Sequence, residues 1–192
     1  PVMEQPTKLS LQELEKVRFA KGVLSPKGHM YFPTHLPKHI SLETTIRKGI
    51  KETCQKMLAP VPIVGVKAIR WVSKDILRWY DKRGVKITNH YLAQMIRMQE
   101  EIGTGGGGFR FIYGAFLEEA AEVLKNNTLK ECSQEITAIG DLWRDFAVEV
   151  ARLYKNRNQA HRAAYEDLSQ RLLTIAQREE AFYKRLKKVI SG

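Results

Sequence analysis

A run of six residues, Gly-Thr-Gly-Gly-Gly-Gly at positions 103–108, separates two stretches with helical periodicity. Glycine adopts positive φ angles and allows close backbone approach, but it loses conformational entropy on ordering. The run stands directly before a helix, where free N–H groups and the helix dipole favour an anion. Arg110 in the first turn can add a charged fork. The run therefore predicts either a phosphate or carboxylate site, or a tight turn that brings two helices close together.

The glycine run matches neither of the common phosphate-binding loops. No Gly-Lys-Ser or Gly-Lys-Thr follows it, as a P-loop requires. The segment before it has the pattern of a helix, whereas a dinucleotide fingerprint follows a strand. Both interpretations, the anion site and the helix-packing turn, therefore stay open.

From Ser41 onward, apolar residues recur at spacings of three and four, which is typical of amphipathic helices. The pattern predicts helices at about residues 41–58, 66–82, 88–102, 109–125, 128–153 and 168–189. Pro60 and Pro62 end the first of these, and short connections favour antiparallel packing. We therefore expect a mainly α fold, a bundle of about six helices.

The first 40 residues have a different pattern. Ser10-Leu-Gln-Glu13 is a capping box that opens a short helix to about Phe19. The turn Pro26-Lys-Gly28 lies between residues 20–24 and 30–32 and predicts a short β-hairpin near the N-terminus. An isolated hairpin is marginal in water. We therefore expect residues 1–40 to be the seam with a missing N-terminal domain, and residues 41–192 to be the helical domain.

The chain of 192 residues carries a formal net charge of +11 at pH 7, from 32 basic and 21 acidic residues. The positive excess lies in residues 1–102 and 152–192, whereas residues 103–151 are net acidic. A basic surface attracts nucleic acid, anionic membranes or acidic proteins. Solvated helix faces rich in lysine and arginine are the simpler explanation of such a charge.

The predicted helix at residues 66–82 has basic residues along one side. At about 100° per residue, Lys67, Arg70, Lys74 and Arg78 share that side, and Trp71 falls among them. Arginine and tryptophan are enriched at protein interfaces. We predict a partner-binding surface here, and the alternative is that Trp71 packs against another part of the chain.

Cysteine and histidine give little indication of catalysis or metal binding. Cys54 has no histidine nearby to act as a base, and Cys132 has the same character, so we expect both in the core. His35 and His39 have a metal-like spacing, but Pro37 lies between them and no cysteine pair accompanies them. We therefore expect no metal and no cofactor.

The apolar pattern and the cysteine content also predict the cellular location of the protein. No uninterrupted apolar run approaches the roughly 18 residues of a membrane span, and the first residues lack the pattern of a signal peptide. Two cysteines cannot form a disulfide framework and suit a reducing compartment. We expect a cytoplasmic protein that does not enter a membrane.

Two stretches carry a resemblance to a known family. The first contains Val17-Arg-Phe-Ala-Lys, Pro26-Lys-Gly-His-Met-Tyr-Phe and Met57-Leu-Ala-Pro, and the second contains Gly65-Val-Lys-Ala-Ile-Arg, Ile102-Gly-Thr-Gly-Gly-Gly-Gly-Phe-Arg, Tyr113 and Glu119-Ala. Together they resemble the C-terminal helical domain of BtrH-like acyltransferases. These are similar to butirosin biosynthesis protein H, in secondary metabolite biosynthesis, and there the helical domain follows a papain-like domain.

The resemblance implies acyl transfer from an acyl-carrier-protein thioester to an amine, by a nucleophilic cysteine with a histidine partner in the papain-like domain. No position of this chain matches that cysteine motif, so the catalytic residues are unknown and whether the chain is an enzyme stays open. The helical signature of the family adds Tyr113 to the glycine run. The expected anion or substrate site then comprises Gly103, Thr104, Gly105, Gly106, Arg110 and Tyr113.

The first functional hypothesis is that the chain is the non-catalytic helical part of a BtrH-like acyltransferase. Its basic side would contact an acidic acyl carrier protein or the missing catalytic domain, and Arg110 with the glycine run would hold the phosphopantetheine phosphate of the carrier. The alternative is a basic helical binding module for nucleic acid or an acidic protein. Nucleic acid is disfavoured, because no helix-turn-helix signature or aromatic platform is present. Homo-oligomerisation stays open.

Overall fold

The computed structural model describes residues 8–22, 25–35, 39–155 and 161–191. It divides into two compact units, Pro1–Ile40 and Ser41–Gly192. The first unit contains helix α1 (Leu11–Arg18). The second contains α2 (Leu42–Met57), α3 (Gly65–Glu100), a short 3-10 turn (Gly107–Phe109), α4 (Arg110–Val123), α5 (Asn127–Lys155) and α6 (Arg162–Ser191). The prediction of a mainly helical protein is confirmed.

Helix α1 begins at the predicted capping box. The N–H of Glu13 donates to Ser10 Oγ over 3.2 Å, and the N–H of Ser10 donates to Glu13 Oε2 over 3.0 Å. These reciprocal bonds satisfy two of the donors that a helix start leaves free. No residue of α1 is buried, so the cap and the local bonds, not packing, hold this helix.

The predicted β-hairpin is wrong. No strand is present in the described part of the chain, which includes residues 20–22 and 25–32 but not residues 23 and 24. The turn at Gly28 instead folds back on the end of α1. Its N–H donates to Arg18 O over 2.9 Å, and Arg18 Nη2 donates to Gly28 O over 2.5 Å. Because Gly28 bonds with the helix end, its backbone does not form a rung of a strand ladder.

Helices α5 and α6 form the centre of the second unit. Helix α6 packs against α2, α3 and α5, and α5 also packs against α3 and α4. Both helices bury a continuous apolar stripe, comprising Leu129, Cys132, Ile136, Ile139, Trp143, Phe146 and Val150 in α5, and Leu168, Leu172, Ile175, Phe182 and Leu186 in α6. Full burial of a large apolar side chain stabilises a fold by roughly 1.5–3 kcal/mol, so these stripes are the main source of stability. Within the described ranges, no helix combines the length and the apolar character needed to cross a membrane.

Helix α3 consists of two halves that meet at Gly84, where φ is 77° and ψ is 171°. Along a straight helix, residues 79 and 91 would lie about 18 Å apart, at 1.5 Å per residue. The ring centroids of Trp79 and Tyr91 are nevertheless 5.3 Å apart, with an interplanar angle of 73°. The chain therefore changes direction sharply at Gly84.

The second half of α3 begins earlier than the sequence pattern predicted. Thr88 and Asn89, at the predicted start of this helix, are buried inside it. Thr88 Oγ1 donates to Gly84 O over 2.9 Å, and Asn89 Oδ1 accepts from the hydroxyl of Tyr165 over 2.7 Å. Thr88 therefore braces the kink within α3, and Asn89 joins α3 to α6, instead of starting a separate helix.

Candidate functional site

The glycine loop, residues 103–109, has a left-handed backbone that accounts for its composition. The angle φ is positive at Gly103, Gly105, Gly106, Gly107 and Gly108, and also at Phe109. At Gly106, φ is 85° and ψ is 163°, a region that only glycine enters at low cost. The four consecutive glycines therefore suit the path of the chain.

The N–H groups of Gly106 and Gly107 have acceptors within the protein. Thr104, which is buried, donates from Oγ1 to Gln99 O over 2.6 Å and accepts the N–H of Gly106 over 3.2 Å. The N–H of Gly107 donates to Glu100 Oε1 over 3.0 Å. An anion at these two N–H groups would have to displace a hydroxyl and a carboxylate of the protein itself.

The loop also lies unusually close to helix α5. A Cβ added at Gly107 would lie 3.3 Å from Gly140 Cα, and a Cβ added at Gly140 would lie 2.9 Å from the ring of Phe111. In α4, a Cβ at Gly114 would lie 2.7 Å from Thr137 Oγ1. These glycines bring the loop and α4 into close contact with α5, which supports the helix-packing interpretation of the glycine run.

Arg110 makes a nearly buried ion pair with Glu179 of α6. Arg110 Nε and Nη2 lie 2.9 and 2.7 Å from Glu179 Oε1, and Nη1 donates to Gly108 O over 2.6 Å. The Arg110 side chain is 16% exposed and that of Glu179 is 0% exposed. Arg110 thus joins the glycine loop to α6, and an external anion would compete with Glu179 for it.

Trp143 completes this arrangement from α5. Its indole Nε1 donates to Glu179 Oε1 over 2.8 Å, and its ring lies 5.3 Å from the guanidinium carbon of Arg110. The residues Arg110, Trp143 and Glu179, which we call the clamp, therefore connect α4, α5 and α6. The other carboxylate oxygen of Glu179 is buried without a hydrogen-bond partner among the described residues.

Tyr113, the remaining residue predicted for the anion or substrate site, is partly buried against the core. Its hydroxyl oxygen is buried, and its ring lies 6.5 Å from that of Tyr183. Burial raises the pKa of Tyr113 far above its usual range, so the phenol stays protonated. Tyr113 therefore lies on α4 with Arg110, but its hydroxyl does not reach an open binding surface.

Both cysteines are in the core, as the sequence predicted. Each has 0% exposure. Burial raises the pKa of Cys54 to about 11 and also raises the pKa of Cys132. Because the thiolate is the reactive form, neither side chain is suited to nucleophilic catalysis at neutral pH. Within the described ranges, no group of three or more His, Cys, Asp or Glu side chains is arranged to hold a metal.

Of the five residues predicted to form a partner-binding surface on α3, four are exposed. Lys67, Trp71, Lys74 and Arg78 are exposed and lie at spacings of four, three and four residues, hence on one face. We call these four residues the basic face. Arg70 turns away from it, because its Nη2 pairs with Glu180 Oε2 of α6 over 2.5 Å.

The residues of the basic face differ in how fully their charges are neutralised. Lys67 Nζ donates to Pro60 O over 3.1 Å, and Arg78 Nη2 lies 3.1 Å from the carboxylate of Asp75. Lys74 has no carboxylate within 4.0 Å in the part of the chain that the structure describes. Trp71 is 45% exposed, so about half of its surface packs against the protein and the rest is open to a partner.

Sequence reasoning missed Glu179 and Trp143 as partners of Arg110. The signal for Glu179 is its position in the stripe of α6, where it stands between Ile175 and Phe182 at helical spacing. A carboxylate among core positions needs a buried cation or hydrogen-bond donors. The pattern therefore predicts that Glu179 has a buried partner. It does not identify Arg110, because that residue is 69 positions away in the sequence.

A protein-family model matches residues 12–186, and its description is a domain of unknown function, DUF4872. The chain belongs to the DUF4872 family. The matched DUF4872 region includes the glycine loop, the clamp and the basic face. No curated protein and no solved structure matches the chain.

Proposed function

We propose that this chain is the helical domain of a BtrH-like acyltransferase and that its basic face binds an acidic acyl carrier protein. The observation that supports the proposal is the exposed, one-sided arrangement of Lys67, Trp71, Lys74 and Arg78 on α3. The resemblance of the sequence to BtrH-like proteins supplies the reaction class, which is acyl transfer from a carrier thioester to an amine.

The basic face has the composition that a transient protein interface requires. Exposed ion pairs contribute only about 0–1 kcal/mol each, so the cations act mainly by steering an acidic partner and setting its orientation. Trp71 supplies the apolar contact, because exposed tryptophan is among the residues most often found at energetic hot spots. We therefore expect Trp71 to determine most of the affinity, and Lys74 to contribute to selectivity for an acidic partner.

The properties of the two cysteines support a binding role for this chain and not a catalytic one. Both thiols are buried and their pKa values are raised by burial. In the proposed enzyme, the papain-like domain provides the nucleophile, and the helical domain holds the carrier so that the thioester can reach it. The catalytic domain itself is then a second partner of the helical domain.

The proposal is tested by titrating a fluorescently labelled acidic acyl carrier protein with the chain and its variants. Lys74→Glu should weaken binding by about tenfold, which is ~1.4 kcal/mol, and Trp71→Ala by a similar or larger factor. Lys130→Glu is the matched control, because Lys130 is exposed on α5 and the substitution changes the net charge equally. We expect this control to change affinity less than twofold.

Two results would contradict the proposal. If Lys74→Glu and Lys130→Glu weaken binding equally, the attraction comes from net charge and not from the basic face. If the carrier does not bind but nucleic acid does, with affinity that falls steeply with salt concentration, the chain is a nucleic-acid-binding module.

A further inference from the structure

The kink of α3 creates a pocket beside the basic face, with which it shares Arg78. It has a volume of about 280 Å³ and is lined by Arg78, Trp79, Lys82, Arg83 and Tyr91. Tyr91 comes from the second half of α3, and the four other residues come from the first half. The change of direction at Gly84 is therefore what brings Tyr91 against Trp79 and closes one side of the pocket.

The pocket is lined by three cations and no carboxylate. Arg78 is shared with the buried carboxylate of Asp75, from which its Nη2 lies 3.1 Å. Lys82 and Arg83 have no carboxylate within 4.0 Å in the described part of the chain, and the nearby Asp81 pairs with Arg162 instead. Within the described residues, the positive charges of Lys82 and Arg83 are therefore not neutralised by any side chain.

The aromatic side of the pocket offers ring surface. Trp79 and Tyr91 meet edge to face, with centroids 5.3 Å apart and an interplanar angle of 73°, a geometry that aromatic pairs prefer. Both rings line the pocket, and Tyr91 is 43% exposed. A ligand with an organic part beside its charge would find an apolar contact here.

We propose that this pocket binds the phosphate group of a small organic phosphate, whose organic part packs against Trp79 and Tyr91. A phosphate monoester carries about −1.5 to −2 charges at pH 7, which matches Lys82 and Arg83 better than the single charge of a carboxylate does. The guanidinium of Arg83 can bond two phosphate oxygens at once. The volume lies just below the roughly 300–1,000 Å³ of typical ligand pockets, which suits a small monophosphate.

This inference does not depend on the carrier proposal, because Lys82 and Arg83 lie outside the basic face. The phosphate could belong to free metabolites of several kinds. The test therefore uses three probes on the full chain, each measured by isothermal titration calorimetry: inorganic phosphate, ribose 5-phosphate and adenosine monophosphate. Stronger binding of adenosine monophosphate than of ribose 5-phosphate would show that the rings contact a base, and equal binding would show that the phosphate and a short arm suffice.

The decisive variant is Lys82→Gln/Arg83→Gln, and its matched control is Lys51→Gln/Lys130→Gln. Both remove two positive charges from exposed side chains, but only the first removes them from the pocket. We expect the pocket variant to weaken binding of the organic phosphates at least tenfold and the control to weaken it less than twofold. Trp79→Leu should weaken adenosine monophosphate more than inorganic phosphate, with circular dichroism to confirm that the helices are intact.

Two outcomes would overturn the inference. One is that none of the three probes binds at millimolar concentration to the unmodified chain. The other is that the pocket variant and the control variant lose the same affinity, since the attraction would then come from the net charge of the protein and not from a defined site.

Discussion

The ion pair between Arg110 and Glu179 should account for a large part of the stability of the second unit. In Arg110→Met, Glu179 would remain fully buried and would keep the indole of Trp143 as a hydrogen-bond donor. A buried charge that loses its partner costs about 3–5 kcal/mol. We expect Arg110→Met to lower the free energy of unfolding by that amount, out of the roughly 5–15 kcal/mol that is typical of a folded protein.

A second variant separates the energy of the ion pair from that of the other contacts of Arg110 and Glu179. Glu179→Gln keeps an acceptor for the indole of Trp143 while it removes the negative charge. Because the Arg110 side chain is 16% exposed, water can reach part of the guanidinium, and we expect a smaller cost of about 1–3 kcal/mol. In Arg110→Met/Glu179→Gln no charge is left buried without a partner, so the two costs should not add. The coupling energy should be about 1–3 kcal/mol.

Urea unfolding followed by circular dichroism gives the free energy of unfolding of each variant. The exposed pair Lys48 and Glu52, with Nζ and Oε1 4.0 Å apart, provides a control cycle, for which we expect a coupling of about 0–0.5 kcal/mol. A cost of Arg110→Met below about 1 kcal/mol, with a coupling no larger than this control, would refute the reasoning. Arg110 would then be free to bind an external anion at the glycine loop.

Two further variants test the backbone and the core. Gly84→Ala should cost about 1–3 kcal/mol, because its φ of 77° and ψ of 171° favour glycine even though a Cβ there would meet no atom within 4 Å. Gly49 in α2 also has no atom within 4 Å of an added Cβ, so Gly49→Ala should be neutral or stabilising by up to about 1 kcal/mol. Equal urea midpoints for the two variants would contradict the positive φ at Gly84. Because burial raises the pKa of Cys54 to about 11, the unfolded chain loses this thiol proton at a lower pH than the folded chain. Stability should therefore fall as the pH rises from about 9 to 11, and Cys54→Ala should show a smaller fall in its unfolding midpoint over that range.

Local sequence signals predicted the helices well because the chemistry that forms them is local. Ser10 and Ser41 cap α1 and α2 as their positions indicate, with Ser41 Oγ accepting the N–H of Thr44 over 3.3 Å. Pro60 and Pro62 follow the end of α2 at Met57. In each case the residues that make the feature are within a few positions of one another.

Features that depend on distant residues were not predictable in the same way. The hairpin prediction failed because Gly28 bonds to Arg18, a helix-end partner that no strand pattern reveals. Arg70 has the periodicity of the basic face, yet Glu180 of α6 draws it away. Spacing along a helix gives the side on which a residue lies, but an ion pair with another helix decides whether its charge stays available.

The glycine run shows which features of a site amino-acid composition can predict. Its glycines indicate positive φ or close approach, and both are present. The sequence could not choose between a ligand anion and a structural turn, because the acceptors involved, Glu100 and Glu179, come from α3 and α6. The anion or substrate site at the loop stays a prediction, and the clamp gives the loop a structural role that needs no ligand.

The most direct test of the proposed carrier docking is nuclear magnetic resonance of the side-chain indole N–H groups during titration with an acidic acyl carrier protein. We predict that the signal of Trp71, which is 45% exposed on the basic face, shifts strongly. The signal of Trp143, which is 5% exposed and donates to Glu179, should stay in place. A titration that leaves the Trp71 signal unchanged while the backbone signals of residues 103–109 shift would contradict the account, since the carrier would then bind at the glycine loop.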